Sequence, residues 1–228
     1  SLSERLNRHV VAIDLRNHGS SFWSKTHDYL SLGRDLIKLA DYFGQKVDLV
    51  GHSMGGKAVM SASLINPHNF GKLVVVDISP VTYFHSEFMD FIWGMKQLDL
   101  AQINSRSQAG QILSDHVPDQ KIRSFLLQNM IRKETGNYDW EINLHSIEEN
   151  IRFILSFPQY QSQFLGQTLF LKGQESSYVS ESSITEIKKY FPQNTIEEIN
   201  QAGHWPHVEQ PKSFQDKFKK DIYEGYGA

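Results

Sequence analysis

Short apolar runs alternate with amphipathic stretches over the first 79 residues. Val10-Val11-Ala12-Ile13-Asp14 is a β-rich run that predicts a strand, and the polar loop Arg16-Asn17-His18-Gly19-Ser20-Ser21 follows it. Between 29 and 43, Leu32, Leu36, Leu39, Ala40 and Phe43 recur at helical spacing, and Gly44 stops that helix. Residues 47–50 form the next apolar run. A helix over 57–65 is ended by Asn66-Pro67. Residues 73–78, Leu-Val-Val-Val-Asp-Ile, read as a strand buried on both faces. Strands alternating with helices predict a mostly parallel sheet flanked by helices.

The rhythm breaks at Pro80. Residues 86–98, 105–115, 119–133 and 146–156 read as helices, with large apolar side chains such as Phe88, Phe91, Trp93, Phe125, Met130 and Phe153. No buried strand is predicted between 80 and 164. The sheet pattern resumes at 168–171, with a helix at 180–190, a strand at 195–199 and a last helix at 211–224. The pattern therefore predicts an α/β core made of residues 1–79 and 166–228, with a helical cap, residues 80–165, inserted between two strands. Most apolar side chains of the cap are expected to form its own core. Some are expected to line an apolar acyl site above Ser53, since ligand pockets favour such junctions.

The chemistry concentrates at Gly51-His52-Ser53-Met54-Gly55, a G-x-S-x-G pentapeptide between a predicted strand and a predicted helix. That context is the one a nucleophile elbow needs. The turn holds the serine in a strained backbone, and a Cβ at Gly51 or Gly55 is expected to clash where strand meets helix. A serine hydroxyl needs a base, and the base needs an orienting group. Among ten histidines, His204 is the leading base, because Gln201-Ala202-Gly203-His204 lies between the last strand and the last helix, at the carboxyl edge of the sheet. His207 is its rival, read as packing where that helix begins. His52 is expected to pack in the elbow, and His18 to hold its own loop. Two acids can orient the base: Asp77, at the end of the 73–78 strand, and Glu175, after the 168–171 strand. Either gives the order serine, acid, histidine. Asp14 also ends a predicted strand and is read as structural.

Composition narrows the partners. Net charge is −3 over 228 residues and the pI is near 6.4, so no basic surface for nucleic acid is implied. The chain has no cysteine, which removes disulfides and thiolate metal sites and fits a reducing, cytoplasmic setting. No run approaches the ~20 apolar residues of a membrane span, and no signal peptide opens the sequence.

Five strings together resemble the α/β-hydrolase superfamily, and within it the group of YbfF-like bacterial esterases and abhydrolase-domain proteins. They are DLRNHGSS (14–21), GHSMGGKAVM (51–60), VVVDISPV (74–81), LKGQESSYVSE (171–181) and AGHWPHVEQP (202–211). They span the predicted sheet; residues 82–165 match only in length and helical character. Most α/β-hydrolases take the acid from a G-x-x-D pattern after the cap, but here Ser176 stands three residues after Gly173. The YbfF-like group has serine there as well, and its acid segment maps onto Asp77. The resemblance thus implies a serine esterase or thioesterase with Ser53, Asp77 and His204 as triad, acting on short- to medium-chain acyl esters, with acyl-CoA thioesters as a further substrate class. It implies no metal and no organic cofactor. The same triad serves C–C hydrolases and lyases in relatives, and a hydrolase fold can also bind a ligand or partner without turnover. One oxyanion donor is expected from the Met54 N–H. A second normally comes from a His-Gly loop after an early strand. The sequence opens at Ser1 without methionine and holds no such loop before Val10, so that donor is expected upstream of residue 1 in a longer natural chain.

Overall fold

The architecture is described from a computed structural model, over residues 2–84 and 87–220. Six strands occur among these residues. They are β1 (Val47–His52), β2 (Phe70–Val76), β3 (Met130–Arg132), β4 (Tyr138–Trp140), β5 (Thr168–Gly173) and β6 (Asn194–Ile199). Four of them form one parallel sheet in the order β1-β2-β5-β6. The period-two register sends Val74, Val76, Leu169 and Leu171 to one face, where they pack with Ile199, Ala202, Phe214 and Phe218. Leu73, Val75 and Phe170, of the opposite parity, are equally buried, which is why β2 and β5 read as unbroken apolar runs. The helix Met54–Ile65 packs on β1 and β2, and Pro211–Lys219 packs on β5 and β6. The helix Tyr29–Phe43 is bounded by Asp28, whose carboxylate accepts from the Ser31 N–H at 2.7 Å, and by Gly44 in the left-handed region.

The chain divides into two compact units: Ser1–Ala12, Asp28–Thr82 and Ser156–Ala228 make one, and Ile13–His27 with Tyr83–Leu155 make the other. These limits differ from the predicted core and cap, because the 13–27 loop is bound to the helical region by side chains that periodicity does not reveal. Asn17 Nδ2 donates to Ser146 Oγ at 3.2 Å, and Asn143 Nδ2 donates to Asn17 Oδ1 at 3.1 Å. The second unit buries Met95, Leu98, Ile103, Ala109, Leu113, Val117, Leu127, Met130 and Leu144 as its own core.

Three predicted elements are corrected. Residues 10–14 are not a strand: Val10, Val11 and Ile13 stand exposed, and the run joins no ladder among the described residues. A β-branched run without a partner strand has no ladder to hold it in a sheet; here the Asp14 carbonyl accepts from Ser21 Oγ at 2.6 Å instead. The helix expected over 119–133 stops early, as Gln120–Leu126 followed by a 3₁₀ turn, Leu127–Asn129. The chain then forms the β3–β4 hairpin, with Met130 opposite Trp140 and Gly136 at φ 90° in its turn. Strands of three residues are too short to show alternation, so the sequence pattern does not mark this hairpin. The helix expected over 146–156 is two helices, Leu144–Glu149 and Ile151–Leu155, broken at Asn150, whose Nδ2 donates to Lys25 O at 2.9 Å and Ser146 O at 2.8 Å. The remaining helices agree within a few residues. They are Tyr29–Phe43, Met54–Ile65, Glu87–Gln97, Arg106–Leu113, Glu181–Tyr190 and Pro211–Lys219. Residues 86 and 221–224 of the predicted helices lie outside the described residues.

Candidate active site

Ser53 lies between the end of β1 and the first residue of the helix Met54–Ile65, at φ 52° and ψ −120°. A side-chain-bearing residue is strained there, and the surrounding bonds hold it. Ser53 N donates to Val76 O at 3.0 Å, and Lys57 N donates to Ser53 O at 3.1 Å. At Gly51 a Cβ would lie 2.3 Å from Gly55 O, as the tight turn requires. The matching expectation for Gly55 is wrong: a Cβ there meets nothing within 4 Å. The second close approach is at Gly56, where a Cβ would lie 2.5 Å from Ile78 Cγ2, because that residue of the first helical turn faces the sheet. Met54, the first helical residue, carries the N–H next to the Ser53 hydroxyl along the chain.

Asp77 follows β2 directly and is also left-handed, at φ 50°. Its N–H extends the ladder to Leu171 O at 2.8 Å, so the sheet fixes its direction. The residue is fully buried, and its carboxylate is met by three donors. Gly173 N donates to Oδ1 at 2.9 Å, while Ser176 Oγ at 2.5 Å and His204 Nδ1 at 2.7 Å both reach Oδ2. A buried carboxylate needs such donors to offset its lost hydration. β2 lies between β1 and β5, so the end of β2 can face loops from both neighbours. Glu175, the alternative acid, is exposed. Its backbone N–H donates to Ala202 O at 2.9 Å, and its carboxylate makes no bond to His204.

His204 sits in the loop between β6 and the short helix Pro206–Glu209. That loop is held closely. Gly203 N donates to the Glu209 carboxylate, Gln201 N donates to Gln174 Oε1 at 3.0 Å, and a Cβ at Gly173 would collide with Gly203 O at 2.1 Å. The Tyr178 ring stacks on the imidazole, with centroids 4.1 Å apart and planes 26° apart. His204 Nε2 lies 3.0 Å from Ser53 Oγ. With Nδ1 donating to a carboxylate, Nε2 is left as the acceptor for the serine hydroxyl. The structure thus brings Ser53, His204 and Asp77 into one hydrogen-bonded line and leaves Glu175 out of it.

His207 lies within Pro206–Glu209, its ring 5.9 Å from Phe214 and 4.7 Å from His52, and its buried Nδ1 has no hydrogen-bond partner. Burial, and then the neighbouring His204, lower its pKa. His18 Nδ1 bonds the Arg16 carbonyl at 3.1 Å, and Asp14 accepts from Ser20 N at 3.0 Å. Tyr178 went unnoticed in the sequence, and no local pattern marks it, since stacking joins loops after β5 and β6. Ser176, three residues after Gly173, is a donor to the Asp77 carboxylate. Among the described residues, no group of three or more His, Cys, Asp or Glu side chains is placed to hold a metal ion, and no helix is long and apolar enough to cross a membrane.

Comparison with known proteins places the chain in a family. Residues 1–211 match the family described as alpha/beta hydrolase fold. The chain is 39% identical over 221 residues to the zebrafish (Danio rerio) sn-1-specific diacylglycerol lipase ABHD11, covering 94% of this chain and 69% of that protein. It is 29% identical over 208 residues to esterase YbfF of Escherichia coli, covering 90% and 79%. Among solved structures it is similar to a marine microorganism esterase, with a TM-score of 0.87 and 35% identity over 92% of this chain and 83% of that one. The chain belongs to the α/β-hydrolase family.

Proposed function

We propose that the protein is a serine carboxylic-ester hydrolase of the esterase/lipase type, with Ser53 as nucleophile, His204 as general base and Asp77 as the orienting acid. One observation carries the reading: a single imidazole lies 3.0 Å from Ser53 Oγ through Nε2 and 2.7 Å from Asp77 Oδ2 through Nδ1. As Ser53 Oγ attacks the acyl carbonyl, His204 Nε2 takes its proton, and the Asp77 carboxylate stabilises the imidazolium. The Met54 N–H donates to the developing oxyanion, from the positive end of a twelve-residue helix. His204 returns the proton to the departing alcohol or thiol. The acyl group stays on Ser53 until water, deprotonated by the same imidazole, releases the acid.

Similarity to a diacylglycerol lipase and to esterases supports acyl esters as substrates. Short- to medium-chain esters are the class assigned here, with acyl-CoA thioesters as the alternative leaving-group chemistry. The test is hydrolysis of p-nitrophenyl esters over a range of acyl lengths, beside the matching acyl-CoA series and the Ser53→Ala variant. Serine-dependent release on the ester series is the expected result. Serine-dependent turnover confined to thioesters would move the substrate class. A folded protein that turns over neither series would contradict the reading.

A further inference from the structure

Three histidines meet beside the nucleophile, and the reaction above uses one. The His52 ring lies 4.8 Å from that of His204 and 4.7 Å from that of His207. His52 Nε2 also lies 2.6 Å from the backbone oxygen of His204. A carbonyl oxygen only accepts, so this nitrogen carries the proton and donates. Burial, and then the adjacent His204, push the His52 pKa down to about 4, so the ring remains a neutral donor at neutral pH. Its partner is the main chain of the residue that supplies the base.

The placement matters because of where residue 52 stands. It is the last residue of β1, immediately before Ser53. The loop's tethers to Glu209, to Gln174 and to the Glu175 N–H hold it to its own helix and to the loop after β5. The bond from His52 instead ties the base's main chain to the nucleophile's own strand. The 3.0 Å separation between Ser53 Oγ and His204 Nε2 is thereby spanned twice, once by the reacting contact and once by a bond that does not change during the reaction. Proton transfer is steeply sensitive to such a separation, and a displacement of ~1 Å costs on the order of a hundredfold in rate.

We propose that His52 is a positioning residue, whose Nε2–H fixes the His204 main chain so that the imidazole keeps its transfer distance to Ser53; this role rests on the Ser53–His204 assignment above. A ring that merely filled space could be replaced by any side chain of similar bulk. A hydrogen-bond donor could not.

Steady-state kinetics on p-nitrophenyl butyrate separate the two, using His52→Leu, which fills space without donating, and His52→Gln, which keeps an N–H at similar reach. Ser53→Ala, His204→Ala and thermal unfolding of every variant run alongside. The expected result is a kcat roughly ten- to a hundredfold lower for His52→Leu, with KM changed less than about threefold, and recovery of most of that loss in His52→Gln. A folded His52→Leu with parental kcat, or a His52→Gln as slow as His52→Leu, would overturn the role. If His52→Leu fails to fold, nitrogen-15 histidine spectra of the parent decide: the role requires that Nε2 of the neutral His52 ring carry the proton. An Nδ1–H tautomer overturns it. Turnover surviving in Ser53→Ala or His204→Ala would instead remove the underlying assignment, whatever His52 does.

Discussion

Asp77 and Asn17 are both fully buried polar residues held at positive φ, 50° and 66°, one in each compact unit. Both are saturated with hydrogen bonds. Asn17 Oδ1 accepts from Ser24 N at 2.7 Å and Asn143 Nδ2 at 3.1 Å, while its Nδ2 reaches Ser146 Oγ and His27 Nδ1, each at 3.2 Å. The difference lies in where the bonds lead. Ser24 and His27 belong to the 13–27 loop itself, Asn143 and Ser146 to the region around 143–150, so Asn17 fastens one to the other and its network closes on itself. Asp77 leads through His204 to the Ser53 hydroxyl, a group whose proton the imidazole is placed to accept. Backbone strain and a buried polar centre therefore do not by themselves mark chemistry; the chain of bonds has to end on a nucleophile.

The sharpest way to break the comparison is to remove that end. Ser53→Ala is expected to abolish ester turnover and leave thermal unfolding unchanged, and retained hydrolysis would show that the line of bonds leads nowhere. Asp77→Asn follows, with a fall in kcat near ~10⁴, as when a triad acid loses its charge. Glu175→Gln beside it is expected to keep parental kcat; the reverse pattern would transfer the acid role to Glu175. Asn17→Ala probes the other centre. It strips partners from Ser24 N and Asn143 Nδ2, at about 1–3 kcal/mol for each group left unsatisfied. The expected readout is a lower unfolding temperature with faster amide exchange across 13–27 and 143–150.

A smaller effect concerns Lys57, buried in the first turns of the helix after Ser53, with Nζ donating to Ser156 O at 2.8 Å. Burial lowers its pKa from 10.5 to about 7. Between those values the unfolded chain binds more protons than the folded one, so this residue makes stability rise with pH over about pH 7 to 10.5. Lys57→Met is expected to flatten that rise in unfolding temperature, and an unchanged slope would show that the amine is not desolvated. Least affected of all, His207→Ala is expected to change kcat by only a few-fold. A dead His207→Ala beside an active His204→Ala would reverse the choice of base.

Legibility followed the length of the signal. The elbow could be read because Gly51, Ser53 and the run before them obey local rules within ten residues. β2 and β5 could be read because burial on both faces leaves Val74–Val76 and Leu169–Leu171 without polar interruption. His204 was legible as a loop residue between the last strand and the last helix. Residues 130–140 were not, since a hairpin of three-residue strands has no period to detect, and only Gly136-Asn137 hinted at its turn. Residues 10–14 misled for the opposite reason: β propensity expresses fit to a partner strand, and none pairs with Val10 or Val11 among the described residues. The attachment of the 13–27 loop, the Tyr178 stack and the His52 bond depend on contacts between segments far apart in the chain, which one sequence does not display.

Activation of Ser53 by one imidazole can be read from covalent labelling. The protein is treated with a fluorophosphonate and the modified residue is located by mass spectrometry, in the parent, Ser53→Ala and His204→Ala. The expected result is a single adduct on Ser53, none in Ser53→Ala, and labelling slowed by orders of magnitude in His204→Ala. An adduct on another residue, or labelling of Ser53 at the parental rate without His204, would contradict it.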